Sequence, residues 1–148
     1  MKVALFVTCL VDQMWTSIGV SSVEVLRRVG CEVEFDRRQT CCAQPAYNTG
    51  YLNEARPVAQ RFISIFEESN ADAIVSPSGS CTAMVRHYPQ LFAGDSEWLP
   101  RARAIAAMRA AALPVHAQQA VSSRPATAGR SMQTSTDPDR AALCWAIG

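Results

Sequence analysis

Lysine is almost missing from this sequence: Lys2 stands alone, and arginine supplies the rest of the basic charge. An excess of either sign is missing too, since 14 basic and 13 acidic residues leave a formal charge of +1. The two signs are interspersed, which provides no electrostatic footprint for nucleic acid or an anionic membrane. No apolar run approaches the roughly 20 residues a membrane span needs. The opening stretch "MKVALFVTCLVDQMW" meets acidic and polar residues too soon for a signal peptide. A cytoplasmic protein is therefore expected. Also absent are a Gly-x-Gly-x-x-Gly motif and a phosphate-binding loop, so nucleotide use has no support, and paired C-x2-C knuckles, the usual signature of structural zinc.

What is present is enough apolar residue, 49% of 148, to bury the core of one ordinary domain. "KVALFVTC" reads as a strand buried on both faces. Ile18, Val23, Leu26 and Val29 then recur at near-helical spacing up to Gly30, where a helix would stop. "CEVEF" alternates as a half-exposed strand does. In "YLNEARPVAQRFISIFEES", Ala55, Val58, Ala59, Phe62, Ile65 and Phe66 form one apolar stripe, predicting a helix with Pro57 tolerated only near its first turn. "ADAIVSPSGSC" reads as a third strand ending in a turn. Helices from about Thr82 to Phe92 and from about Glu97 to Ala112 complete the expectation. This alternation predicts an α/β domain over 1–112, a three-layer Rossmann-like arrangement with a short parallel sheet flanked by helices. From 113 to 148 the composition turns to Ala, Ser, Thr, Gln and Pro without a sustained period, the pattern of an irregular tail.

The six cysteines decide the chemistry. In a chain without an export signal they are more useful as metal ligands, nucleophiles or packing than as a disulfide framework. Cys9 ends the first predicted strand, Cys41 and Cys42 lie in the loop after the second, and Cys81 closes the turn after the third. Loops at the carboxyl ends of parallel strands converge, so these four thiols are expected at one edge of the sheet. Cys31 begins a strand at the opposite edge and reads as packing, and Cys144 falls in the tail. Four convergent thiolates suit zinc or an iron–sulfur cluster. Adjacent cysteines do not easily turn both side chains to one ion, which leans toward a cluster or a redox thiol pair. Cys81 near a helix N-terminus also suits a thiol enzyme. The loop of a cysteine phosphatase, however, carries an arginine six positions on, where Cys81 has Arg86 five beyond and Cys9 has Trp15 six beyond. His87 reads as a surface histidine rather than a base for Cys81. Gln44, Asn48, Ser78, Gly79 and Ser80 are candidates for the shell around the thiols.

The stretches "TCLVDQMW", "QTCCAQPAYNTGY" and "VSPSGSCTAMVRHYPQLF", agreeing in order and spacing, resemble the CCG cysteine-rich domain family of iron–sulfur oxidoreductase subunits, which includes the cysteine-rich subunit of heterodisulfide reductase. Within it the lactate utilization A branch is most similar, and the match covers about residues 2 to 110, an N-terminal half. The resemblance implies a [4Fe-4S] cluster held by Cys9, Cys41, Cys42 and Cys81, and an electron-transfer role in L-lactate degradation to pyruvate. It implies as partners a ferredoxin-like iron–sulfur protein and a third small lactate utilization subunit. A zinc-stabilised interaction module and a thiol-disulfide enzyme related to heterodisulfide reductase are the alternatives. The chain departs from the family pattern at Ala43, where a glycine usually follows the cysteine pair, and at Met84, where heterodisulfide reductase has a fifth cysteine. No second "CC" motif follows, so the tail is expected to arise from truncation or a frameshift.

Overall fold

A computed structural model describes residues 1–108 and the backbone of 111–112. The predicted tail, with Cys144, lies outside the described residues. The first strand, β1 (Lys2–Leu5), pairs in parallel with β2 (Glu32–Glu34) on one side and β3 (Ala73–Ser76) on the other. A two-residue β4 (Ala111–Ala112) adds to β3, so the sheet runs β2-β1-β3-β4, all parallel.

Because successive side chains on a strand face opposite ways, β1 feeds two cores. Val3, Leu5 and Val7 meet Val11, Val23 and Leu26 on one face. Ala4 and Phe6 meet Phe62, Phe66 and Tyr88 on the other. The first face is covered by α1 (Cys9–Met14) and α2 (Thr16–Arg28). The second is covered by α4 (Leu52–Glu67), α5 (Gly79–Arg86), α6 (Tyr88–Leu91) and α7 (Trp98–Ala107), with α3 (Gln44–Asn48) packed on α4. The result is the expected three-layer α/β domain. Among the described residues no helix is long and apolar enough to cross a membrane.

Several boundaries differ from the sequence reading. The first strand stops at Leu5 as a ladder, although Phe6 N–H still donates to Val75 O at 2.8 Å. Cys9 therefore does not end a strand: Thr8 caps α1 by accepting from Val11 N–H, and Cys9 is its first residue. Gly30 does stop α2, at φ +80°, with Cys31 N–H returning to Leu26 O and Gly30 N–H to Arg27 O, a Schellman closure. Pro57 sits in the second turn of α4 rather than its first. The helix expected from Thr82 begins three residues earlier and breaks at His87, because Pro89, near the start of α6, has no N–H with which to continue it. The last helix ends at Ala107, where Met108 turns to extended backbone (ψ 141°), and Ala111–Ala112 pair with Val75 and Ser76 instead of prolonging it.

Candidate metal centre

The parallel sheet sends the chain out of β1, β2 and β3 at one edge, and each exit carries a thiol. Cys9 opens α1, Cys41 and Cys42 close the loop after β2, and Cys81 lies in the first turn of α5. Cys9 Sγ and Cys41 Sγ are 3.7 Å apart. Cys42 is buried at 1% exposure, and its thiol lies beside those of Cys41 and Cys81. All four expected thiols are thus brought together. Cys31 is remote, packed against the α2 face of the sheet.

The thiols differ in their hold on a proton. Donation from Cys42 lowers Cys41 to about 5 against the cost of burial, with help from the amides of Ala43 and Cys42. Cys81 falls to about 6, again first through Cys42, with the Ser78 and Ser80 side chains also donating to its sulfur. Cys42, the shared donor, is pushed up by its bonds to Cys41 and Cys81. Cys9 is raised by burial and then by its contact with Cys41. Cys41 and Cys81 thus lean toward the thiolate, and Cys9 and Cys42 toward the thiol.

One residue shapes the turn of this loop. Ala43 has φ 68° and ψ 2°, left-handed backbone that an L side chain adopts at a cost. The turn aims successive amides at the sulfurs, those of Cys42 and Ala43 at Cys41 and that of Gln44 at Cys42, a concave nest of N–H groups that favours anionic sulfur. The sequence reading singled out Ala43 as standing where the resembled pattern has glycine, and the loop does require positive φ there. The methyl is accommodated in the core at 2% exposure.

The proposed surrounding residues divide. Gln44 Nε2 donates to Ser80 O at 3.4 Å, joining the two thiol-bearing segments. Ser78 and Ser80 lie within 3.3 Å of each other through their hydroxyls, and Gly79 starts α5 between them. Asn48 is at the exposed end of α3. Met84, one turn after Cys81, is buried in the α4-side core. His87 is neither a free surface group nor aimed at Cys81: its Nε2 is 2.7 Å from Tyr47 Oη.

Two further residues support the loop. Tyr88, fully buried, donates its hydroxyl to Cys42 O at 3.1 Å, and burial keeps the phenol protonated well above its ordinary range. Gln39 bonds the edge of β1 with its side-chain amide. Neither was legible beforehand, because a tyrosine after a helix and a glutamine in a turn have ordinary structural uses. A cleft of about 300 Å³, lined by Cys9, Cys41, Asp12, Phe35 and Arg37, opens the first thiol pair to solvent. Among the described residues no group of three or more His, Cys, Asp or Glu side chains is arranged to hold a single metal ion.

A family model described as a cysteine-rich domain (CCG) matches residues 3–86, more than half of the chain and all four clustered thiols. The chain belongs to the CCG cysteine-rich domain family. This cysteine-rich chain is 55% identical over 106 residues to lactate utilization protein A of Bacillus velezensis, covering 72% of this chain and 44% of that protein. It is 51% identical to the Geobacillus sp. protein of the same name and 52% identical to that of Bacillus subtilis, each over 106 residues and with the same shares. The match thus spans less than half the length of these relatives. No solved structure matches the chain.

Proposed function

We propose that Cys9, Cys41, Cys42 and Cys81 hold a [4Fe-4S] cluster, and that the domain passes single electrons in the oxidation of L-lactate to pyruvate. It would act beside companion lactate utilization subunits, a ferredoxin-like iron–sulfur protein and a third small subunit. One observation carries the cluster reading: four thiols from three separate segments meet at one sheet edge. Soft sulfur donors in that number suit iron–sulfur ligation. The lactate reading is supported by the relatives named lactate utilization protein A.

A bound cluster would supply one-electron exchange at a potential set by its surroundings. The chain's own residues would do the rest. Amides at Ala43 and Gln44 and the hydroxyls of Ser78 and Ser80 donate to sulfur, which stabilises negative charge there and raises the potential at which an electron is accepted. The protons on Cys42 and Cys9 must leave before all four sulfurs ligate, so loading is expected to release protons. The buried side of the loop, from Cys42 to Tyr88, excludes water, while the cleft at Cys9 and Cys41 leaves a path for electron exchange.

The test is anaerobic reconstitution with ferrous iron and sulfide, followed by iron, sulfide and zinc analysis and an absorption spectrum. Stoichiometric iron and sulfide with a broad band at the visible–ultraviolet edge that bleaches on reduction is the expected result. A colourless zinc-loaded protein, or a metal-free protein with reactive thiols, would overturn it in favour of an interaction module or a thiol-disulfide enzyme respectively.

A further inference from the structure

We propose that Gln39 is a positioning residue that fixes the separation of Cys9 and Cys41. β2 pairs with β1 only as far as Ala4 opposite Glu34. Beyond that point Leu5 O and Val7 N–H, which flank Phe6, face the side that β2 has left, since Phe6 N–H itself points to Val75 on the other side. Gln39 fills the gap with its side chain. Its Oε1 accepts from Val7 N–H at 2.8 Å, and its Nε2 donates to Leu5 O at 3.1 Å. That is the pattern by which one residue of a parallel strand accepts from the amide one place ahead of its partner and donates to the carbonyl one place behind. The carboxamide stands in for a missing peptide group. Its second amide hydrogen goes to Asp36 O at 2.9 Å, closing the turn that carries it.

The lever arms are short. Cys9 stands two positions beyond Val7 and Cys41 two beyond Gln39, and Thr8 caps α1 within the first arm. The clamp therefore sets how far apart the two chains stand where the sulfurs emerge at 3.7 Å. A glutamate in its place would turn a carboxylate oxygen on two carbonyls, and a methionine would fill the volume while leaving Val7 N–H and Leu5 O unpaired.

The test uses the metal-free full chain and diamide, which takes two electrons and two protons from a pair of thiols as the disulfide forms and is itself reduced to the hydrazine. Linked peptides are quantified by mass spectrometry, with alkylation of the remote Cys31 as a measure of general loosening. Wild type is expected to form the Cys9–Cys41 bond first. Gln39→Met and Gln39→Glu should form it about tenfold more slowly, the effect of losing the part-buried hydrogen bonds at the clamp, with Cys31 alkylated at the wild-type rate. Wild-type linkage in both variants would overturn the proposal. So would a matching rise in Cys31 alkylation, since Gln39 would then hold the whole fold rather than the thiol pair. A second arm alone rests on the cluster reading: reconstituted Gln39→Met should lose iron to a chelator faster than wild type. Equal loss rates would overturn the role of Gln39. A wild type that takes up no iron would sink the cluster reading and leave the linkage result standing.

Discussion

Ala43 is the one described non-glycine residue with positive φ, and its methyl is buried. Replacement by glycine would relieve about 1–2 kcal/mol of left-handed strain. It would also forfeit about 0.8 kcal/mol of methyl burial and about 0.4–1 kcal/mol through a looser unfolded chain. These terms nearly cancel, so Ala43→Gly should fall within about 1 kcal/mol of wild type in urea unfolding. Ala43→Val, branched at Cβ where that conformation is least tolerated, should lose at least about 2 kcal/mol. On these figures alanine fits this turn about as well as glycine would, and a bulkier side chain does not. Tyr88→Phe should cost about 1–2 kcal/mol by leaving the buried Cys42 carbonyl without its donor. The same measurement checks it, and a value near zero would mean that the loop does not lean on this bond.

Among the elements, α4 was read most fully from the sequence, because its apolar stripe has a strong helical period. Ala55, Ala59, Phe62, Ile65 and Phe66 are buried as expected, Ile63 joins them, and Val58 is only half-buried. Phe62 is central: its ring lies 4.8 Å from Phe6, 4.4 Å from Phe66 and 5.6 Å from Tyr88. Phe62→Ala should therefore lose about 3–5 kcal/mol in urea unfolding and loosen the Tyr88 support of the thiol loop. Short elements were harder to read. α1 and α3 span 6 and 5 residues, too few for a period to declare itself, and both owe their place to the loops they close. β4 is two alanines whose only strand signal is the exposed edge of β3, which no local pattern reveals.

For the whole molecule, the convergence of Cys9, Cys41, Cys42 and Cys81 was legible because a parallel sheet directs its exits to one edge whatever the loop details. The differences in proton affinity were not, since they depend on which thiol donates to which. Serine at any of the four should sharply reduce iron uptake in the reconstitution assay, whereas Cys31→Ser should match wild type. Iron retained in all four serine variants would remove these residues as ligands. Acid should weaken the fold slightly through the loop before the cysteines. Asp36 is held below its ordinary value, first by the Arg38 side chain. Its contribution is complete above its unfolded value of about 3.9 and is lost as pH falls through the lower folded one. Being mostly solvent-screened, it amounts to a few tenths of a kcal/mol. The gap in urea midpoint between wild type and Asp36→Asn should shrink from pH 6 toward pH 3, and a constant gap would contradict the pairing. Finally, the thiol loop is tied to Val7 through Gln39 and to Tyr88 through Cys42 O, anchors that lie 81 residues apart in the chain. A polypeptide emerging from synthesis makes the cysteine pair long before its second anchor exists. Folding therefore has a built-in order, in which the cysteine pair reaches its fixed place only once the chain is finished past Tyr88.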